Sequence, residues 1–414
     1  MGFIKNIFLV LVFLSFVTAC QQQTNYIIPK SGKWHAKLSL EKGVSLPFIF
    51  HLTQIDTNWT MTIVNGEEEI LLEDLVFTKD SLKVTFPVFE AELRFKLINE
   101  NTLQGEWVNY YKSKDYKLPI VATLGAVNRF DTVSSPTKIA PTYEVTFSPD
   151  TDEKYPAIGI FKQNGSIVHG TFATETGDYR HLEGVVTKDS LKLSTFDGSH
   201  AFLFKAAVSD SMLSGTFWSG NHFKENWQAE INPNAKLKNA DSLTYLKSGY
   251  EKIAFSFPNA AGEMVSLKDK QFKNKVVIVQ IMGSWCPNCL DETNYLSSLY
   301  KKYNQKGLEV IALAFERTTS KEKALKNLKK LKKKTGAYYT FLLGGATRAD
   351  KAEEKLPMLN HVMSYPTAIF IDRAGNIRRI HTGFYGPSTG KYYKDFSTKT
   401  EHLVIKLLNE DSPD

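Results

Sequence analysis

Residues 275–289 read KVVIVQIMGSWCPNC, and this stretch decides the fold of the C-terminal part of the chain. Its apolar start, residues 275–281, is typical of a fully buried parallel strand. After the cysteines, apolar residues recur at helical spacing until Gly307, where a helix can end. They are Leu290, Tyr295, Leu296, Leu299, Tyr300 and Tyr303. The pattern predicts that Cys286 and Cys289 lie in the first turn of a helix that follows a buried strand.

Two cysteines in the first turn of a helix form an arrangement suited to thiol–disulfide exchange. Unpaired backbone N–H groups and the positive end of the helix dipole stabilise a thiolate there. Pro287 fits this turn because proline lacks the N–H that would be unpaired in any case. Cys286 lies closer to the helix end and is expected to be more exposed, so we predict that it is the nucleophile. Cys289, one turn further on, is expected to be more buried and to resolve the mixed disulfide.

The cysteine count supports a redox site over a structural framework. The 414 residues contain three cysteines, far fewer than a secreted protein stapled by disulfides carries. The alternatives are a structural disulfide or half a zinc site, but a zinc site needs about four ligands and no suitable cluster is present. We therefore expect no metal and no cofactor other than a redox-active disulfide between Cys286 and Cys289.

The N-terminus reads as an export signal with a lipid attachment point. Lys5 gives a positive start, an apolar stretch follows, and residues 17–20 read VTAC, which resembles the lipobox of bacterial lipoproteins. This resemblance implies cleavage of a signal peptide at residues 1–19 and lipidation of Cys20. Gln21 stands where many lipoproteins kept at the inner membrane carry Asp, which favours the outer membrane. The alternative is an uncleaved anchor or an ordinary secretory signal, and either one places the remaining chain outside the cytoplasm.

Length and charge indicate how many domains the chain has and which kind of partner it lacks. About 150 residues per domain suggest three domains. The 51 basic and 44 acidic residues give a formal charge of +7 that is spread along the chain, which does not indicate a nucleic-acid partner.

After a polar tether at 20–30, the region up to residue 233 predicts an all-β antiparallel module present twice. Short alternating runs are separated by turn signals such as Asn-Gly. The run 78–83 (TKDSLK) recurs at 187–192, and LQGEW at 103–107 is answered by LSGTF at 213–217. We assign copy 1 to residues 31–125 and copy 2 to residues 141–233, as two small barrels or one fused sandwich. The region is interpreted as a spacer or docking module, with a ligand-binding barrel as the alternative.

After a linker at 234–252, the order of elements at 253–414 predicts an α/β domain. The expected mixed sheet is covered by helices on both faces. Its predicted strands are 276–281, 308–315, 339–343, 367–371 and 377–382, and its predicted helices are 286–305, 320–334 and 402–409.

This domain resembles the TlpA/ResA-like branch of the thioredoxin-fold thiol–disulfide oxidoreductases. The residues that carry the resemblance are the strand and C-x-x-C motif at 275–289, Glu292, the Pro-Thr strand YPTAIFID at 365–372, and the hairpin DRAGN at 372–376 followed by His381-Thr382-Gly383. The resemblance does not extend to the duplicated β region.

The resemblance implies roles for residues around the cysteines. Glu292 points at the site and exchanges a proton with the Cys289 thiol, with an ordinary first-turn glutamate as the alternative. Pro366 is expected to be cis and to leave the backbone of Tyr365 free to pair with a bound peptide, with a trans proline as the alternative. The residues expected to contact substrate are Trp285, Pro287, Asn288, Tyr365 and Pro366. His381 is interpreted as a satisfied strand histidine.

The departures from the family pattern indicate the direction of electron flow. The dipeptide between the cysteines, Pro287-Asn288, lacks the histidine of strongly oxidising relatives, so the couple should be less oxidising. Tyr365 is bulkier than the residue common before this proline. We therefore expect a lipid-anchored periplasmic reductant that is recharged by a membrane electron donor. By family analogy its clients are apocytochrome c or other exported cysteine proteins. The alternatives are an oxidase or isomerase, or a non-enzymatic scaffold lipoprotein.

Overall fold

A computed structural model describes residues 27–113, 115–125, 128–346 and 352–411. The signal segment 1–19 and the lipidation site Cys20 lie outside these residues. Two nine-stranded antiparallel sheets are followed by a small hairpin and a five-stranded mixed sheet. The predicted combination of an all-β duplicated region with a C-terminal α/β domain is therefore confirmed. Within the described ranges, none of the helices is both apolar and long enough to cross a membrane.

The first β module is an up-and-down meander in which every neighbouring pair is antiparallel. Its strands are β1 (Gly32–Glu41), β2 (Val44–Ile55), β3 (Asn58–Asn65), β4 (Glu68–Leu72), β5 (Asp74–Phe77), β6 (Ser81–Thr85), β7 (Ala91–Asn99), β8 (Thr102–Asn109) and β9 (Lys117–Leu124). The order in the sheet is β4-β3-β2-β1-β9-β8-β7-β6-β5, so the last strand returns to pair with the first. Alternate residues of β1 point into an aromatic core, as the burial pattern of Trp34, Ala36 and Leu38 shows.

The second β module is also a nine-stranded antiparallel sheet, and its strands close into a ring. Its strands are β10 (Thr142–Phe147), β11 (Tyr155–Asn164), β12 (Ile167–Thr174), β13 (Gly177–Asp178), β14 (Leu182–Val186), β15 (Ser190–Phe196), β16 (Ala201–Val208), β17 (Met212–Ser219) and β18 (Phe223–Ile231). Here β12 pairs with both β11 and β14, which completes the ring. The two modules are separate sheets, so of the two expected arrangements the structure has two barrel-like units and not one fused sandwich.

The C-terminal domain contains the mixed sheet that carries the cysteines. Its strands are β19 (Ser256–Pro258), β20 (Met264–Ser266), β21 (Val276–Met282), β22 (Leu308–Glu316), β23 (Thr340–Ala346), β24 (Thr367–Ile371) and β25 (Ile377–Thr382), and its helices are α1 (Pro287–Tyr303), α2 (Lys321–Thr335), α3 (Ala352–Lys355) and α4 (Lys391–Asn409). Single 3-10 turns lie at Ala240–Ser242, Lys270–Phe272, Asn304–Lys306 and Pro387–Thr389. The five-stranded order is β23-β22-β21-β24-β25, with β21 central and β24 and β25 antiparallel.

Two details of this domain differ from the sequence expectation. Helix α4 begins at Lys391, eleven residues before the predicted start, because its buried stripe of Phe396, Thr400, Val404 and Leu407 is interrupted by a threonine that hides the helical period. In addition, the three long helices α1, α2 and α4 share one hydrophobic cluster with Val276 and Ile278. The opposite face of β21 packs mainly on residues 253–272 and the one-turn α3.

The buried Arg180 fixes the second module to both the first module and the C-terminal domain, which is called the redox domain below because it carries the cysteine pair. Its guanidinium bonds to Glu68 at 2.5 Å and to Asp291 of α1, and it lies 3.7 Å from Asp197. Asp178 accepts hydrogen bonds from the backbone N–H of Gly386 and the hydroxyl of Ser388. The Arg180 side chain is only 5 % exposed and lies where the three units meet. The relative placement of the units therefore depends on this one side chain.

We expect Arg180→Ala to lower the free energy of unfolding by about 3–5 kcal/mol, because it leaves buried carboxylates without their cation. Urea unfolding measures the change. The control is Arg94→Ala, an exposed arginine of the first module paired with Glu92 and Glu106, which should cost less than about 1 kcal/mol. Equal losses for the two variants would contradict the role given to Arg180.

Candidate active site

The cysteine pair lies at the junction of β21 and α1, as the sequence predicted. Cys286 is the N-cap residue of α1, and its sulfur accepts a hydrogen bond from the backbone N–H of Cys289 at 3.3 Å. Pro287 occupies the first turn. The same sulfur donates to the backbone carbonyl of Tyr365 at 3.3 Å, so the thiol proton has an acceptor and the sulfur itself has a donor. The N-terminus of α1 therefore lies directly against the sulfur of Cys286.

Cys289 is enclosed to a greater degree than Cys286. Its exposed fraction is 0 %, against 7 % for Cys286. Burial, the neighbouring Cys286 sulfur and the nearby Glu292 carboxylate all raise the pKa of the Cys289 thiol. Cys289 therefore holds its proton until a base removes it, whereas Cys286 faces the cavity described below.

Glu292 lies on α1 in the interior of the redox domain. Burial raises the pKa of its carboxyl to about 8, although the Gln280 amide and the Arg379 guanidinium lower it in part. Among the described residues, no donor makes a hydrogen bond of normal geometry to either carboxylate oxygen. The side-chain amide of Gln280 donates a hydrogen bond to the Cys289 carbonyl and accepts one from the Thr293 hydroxyl. A carboxyl group with this pKa beside Cys289 is able to exchange a proton near neutral pH.

The Tyr365–Pro366 peptide bond is cis, as the sequence predicted. Tyr365 packs edge-on against Trp285, with ring centroids 5.6 Å apart. The Trp285 indole N–H donates to the Phe315 carbonyl at 2.9 Å, and the Arg317 guanidinium lies 3.9 Å from the centre of the indole ring. These contacts fix Trp285 as one wall beside Cys286.

The β modules complete the site, which the sequence did not predict. A cavity of about 470 Å³ lies over Cys286 and is lined by residues of the redox domain and of both modules. The first module contributes Asn109, Tyr111 and Lys112, and the second contributes residues 155–156, 174–179, 199–200 and 202. Both modules therefore border the redox site, and their interpretation as a spacer or docking module stays a prediction.

The turn between β12 and β13 seals one end of the cavity against the residues predicted to contact substrate. Thr176 accepts a hydrogen bond from the Ser364 hydroxyl at 2.8 Å through its carbonyl. Gly177 has φ +146°, and a Cβ there would come within 2.1 Å of Nδ2 of Asn288. Asn288 donates to the Asp178 carbonyl at 3.3 Å, which joins the C-x-x-C dipeptide to the second module.

A second buried carboxyl lies beneath the motif. Glu316, at the end of β22, accepts hydrogen bonds from the backbone N–H of Ser284 at 2.8 Å and from its hydroxyl at 2.6 Å. Burial raises the pKa of Glu316 to about 7. Tyr111 of the first module lies near Glu316 and Ser284, and burial raises its pKa. This group holds the residues that precede Cys286 in place.

Some residues of the site carried no usable signal in the sequence, and one did. Lys112 and Tyr111 lie in a turn far from the cysteines in the chain, so only the packing of the modules reveals them. Glu316 follows a run of apolar residues at the end of a predicted strand parallel to β21, and that position could have marked it as a neighbour of the motif.

His381 is buried and hydrogen-bonded to Asp241 at 2.6 Å, as its interpretation as a satisfied strand histidine required. Within the described part of the chain, no group of three or more His, Cys, Asp or Glu side chains is arranged to hold a metal.

Comparison with known proteins shows which proteins the redox domain is similar to. A model of the Redoxin family matches residues 247–394. The thiol-disulfide oxidoreductase ResA of Bacillus thuringiensis subsp. konkukian is 32 % identical over 132 residues, which cover 32 % of this chain and 68 % of that protein. The thioredoxin-like protein YneN of Bacillus subtilis is 31 % identical over 138 residues, 33 % of this chain and 73 % of that protein. The structure of a putative thiol:disulfide interchange protein DsbE from Chlorobium tepidum aligns with a TM-score of 0.31 at 22 % identity, over 40 % of this chain and 100 % of that chain.

The mixed sheet, the cysteine pair at a helix N-terminus and the adjacent cis proline define a thioredoxin-fold thiol–disulfide oxidoreductase. Through its C-terminal domain the chain belongs to the ResA-like family of these enzymes.

The buried Glu292 carboxyl gives a pH-dependent stability that Glu292→Gln removes. Because its folded pKa of about 8 lies above the ordinary value of 4.5, the folded state keeps a proton that the unfolded state loses, so the wild type loses stability as pH rises between these values. We expect the variant to gain on the order of 1 kcal/mol per pH unit relative to the wild type across this window. Urea unfolding at pH 5, 6.5 and 8 measures the difference.

Glu322→Gln, at an exposed position on α2, is the matched control and should track the wild type at all three pH values. A difference between Glu292→Gln and the wild type that stays constant from pH 5 to pH 8 would show that Glu292 is not buried as described.

Proposed function

We propose that the protein is a lipid-anchored reductant of disulfides in exported proteins that works through Cys286 and Cys289. The observation that carries the proposal is the sulfur of Cys286 at the N-cap of α1, facing the cavity, with Cys289 buried behind it. An arrangement with one sulfur at a cavity and one enclosed behind it suits two successive exchange steps.

In the first step the Cys286 thiolate attacks one sulfur of a substrate disulfide. A bond forms between Cys286 and that sulfur, and the other substrate sulfur leaves as a thiolate that takes up a proton. The helix N-terminus stabilises the attacking thiolate before the reaction. Trp285 and Tyr365 wall the position that the substrate disulfide occupies.

In the second step Cys289 attacks the sulfur of Cys286. The Cys289 thiol first gives its proton to Glu292 in its ionised form, which a pKa of about 8 leaves as a minor fraction at pH 7. The Cys286–Cys289 disulfide forms as the bond between Cys286 and the substrate sulfur breaks. That sulfur leaves as a thiolate that takes up a proton, so two electrons have passed from the dithiol to the substrate. A membrane electron donor of the thiol-reducing type returns the pair to the dithiol.

The proposed location rests on the sequence of residues 1–20. A lipid on Cys20 would hold the redox domain at the periplasmic side of a membrane, with the outer membrane preferred because residue 21 is Gln. Exported cysteine proteins, apocytochrome c among them, are the proposed clients, since reduced thiols must be maintained in an oxidising compartment.

The first alternative is an oxidase or isomerase, and the reduction potential separates it from a reductant. Without a histidine between the cysteines, the potential should lie nearer the thioredoxin value of about −270 mV than the roughly −120 mV of a strong periplasmic oxidant. A value near the latter would reverse the assigned direction of electron flow. The second alternative, a scaffold lipoprotein without activity, predicts no disulfide exchange at all.

A Cys289→Ser variant tests the order of the steps. With the resolving sulfur removed, the mixed disulfide on Cys286 cannot be released by the enzyme, so client proteins should stay covalently attached and be identified by mass spectrometry. The matched control is Cys286→Ser, which should trap at least tenfold less. Equal trapping by the two variants would contradict the assignment of Cys286 as the nucleophile.

A further inference from the structure

The cavity over Cys286 has a positively charged side that the disulfide-exchange chemistry does not require. Lys112, in the turn after β8 of the first module, lines the cavity together with Trp285 and Cys286. The turn after β17, which is the same turn in the second copy, brings His222 against it, with Nζ of Lys112 2.9 Å from Nε2 of His222. The duplication thus places two equivalent turns side by side at the mouth of the redox site.

The charge of Lys112 is not neutralised by the groups that face it. Burial and the nearby cations Lys112, His200 and Arg317 lower the pKa of His222 to about 4, so His222 is neutral at pH 7 and accepts a hydrogen bond from the ammonium group. Among the described residues, Asp197 is the one acidic group that acts on Lys112, and it is shared with Arg180 at 3.7 Å and His200 at 3.4 Å. Burial and Arg317 lower the pKa of Lys112 to about 8, so it is cationic in neutral solution.

The acidic residues that line the cavity are engaged by groups outside it. Glu175 pairs with Lys238 at 3.4 Å. Asp178 accepts from the backbone N–H groups of Arg180 and Gly386 and from the Ser388 hydroxyl. An incoming ligand therefore meets a cation at the Lys112 side and carboxylates that already have partners at the other side.

The size and the remaining polar group of the cavity indicate the shape of its ligand. A volume of about 470 Å³ lies in the range of roughly 300–1,000 Å³ that holds small ligands, and too little room remains for the surface of a folded domain. Oδ1 of Asn288 is buried in this region without a hydrogen-bond partner among the described residues. A backbone N–H of an extended peptide would satisfy it.

We propose that this cavity selects disulfides presented on an extended peptide segment with a carboxylate beside the cysteine, and that Lys112 holds that carboxylate. The inference rests on the proposed disulfide reductase and adds its substrate class. It also gives the duplicated β region a function, since the modules supply both the walls and the charged group of the substrate site. Lys112 acts on specificity and takes no part in the exchange of sulfur atoms.

The test uses three peptide disulfides that differ only in the residue next to the cysteine, which is Glu, Gln or Lys. The fully reduced full-length protein is mixed with each peptide, and the released thiol is followed in a single turnover. Opposite charges at the cavity mouth should raise the second-order rate constant, so we expect the Glu peptide to react about fivefold faster than the Gln peptide, and the Lys peptide to react slowest. Added salt should reduce this preference.

Variants assign the preference to Lys112. Lys112→Gln should bring the ratio of the Glu and Gln rate constants to about one, whereas Lys112→Arg should retain a ratio well above one because it keeps the charge. Lys96→Gln, at an exposed lysine of the same module outside the cavity, should keep the wild-type ratio. The wild-type ratio should also fall as pH rises through about 8, where Lys112 loses its proton. Taking a ratio removes the pH dependence of the attacking thiolate, which is common to both peptides.

The outcomes separate this inference from the function on which it rests. Equal rates for the three peptides, or a ratio that survives Lys112→Gln, would overturn the substrate class and leave a disulfide reductase. A folded protein with a surface disulfide that reacts as fast as the Glu peptide would overturn the requirement for an extended segment. No reaction with any of these substrates would overturn the proposed function itself.

Discussion

The hydrogen bond from the Cys289 backbone N–H to the Cys286 sulfur is the interaction on which the rest of the site depends. It makes a sulfur atom the N-cap of α1, so the same contact begins the helix and holds the proposed nucleophile on its positive end. The buried strand β21 fixes where that helix begins, and the cis proline loop meets the sulfur from the other side through the Tyr365 carbonyl. Every other group of the site is placed relative to this atom.

The environments of the two sulfurs differ in a way that fits their two proposed tasks. The interior around Cys289 holds Glu292, whose carboxyl has a raised pKa, and the thiol shares that enclosed environment. Cys286 faces a cavity whose walls come from both β modules. Glu292 thus acts on the enclosed Cys289, whereas the cavity lies over Cys286.

The sequence was sufficient for the redox domain because its signals are local. The apolar strand, the proline in the first helical turn and the pattern around Pro366 each act over a few residues, and their elements appear within a residue or two of the expected positions. Helix α4 was shortened in the prediction because Thr400 occupies a buried position where an apolar residue was expected. The repeat at 78–83 and 187–192 likewise revealed two copies of one module.

The cavity over Cys286 was not predictable in this way, since it depends on how three units pack. Lys112 is about 170 residues from the cysteines in the chain, and no local pattern distinguishes it from other turn lysines. The contacts that bring it there are made by Arg180, Asp178 and the turn at Thr176, which have equally ordinary sequence surroundings. Tertiary packing of the duplicated modules, and not their composition, makes them part of the redox site.

Alkylation of the reduced protein by iodoacetamide, followed by mass spectrometry of each cysteine, tests the central claim most directly. Only a sulfur that is both accessible and present as a thiolate reacts quickly. Modification should appear on Cys286 at least tenfold faster than on Cys289 at pH 7. Modification of Cys289 at the same rate or faster would contradict the assignment of one nucleophile that faces the cavity and one enclosed resolving thiol.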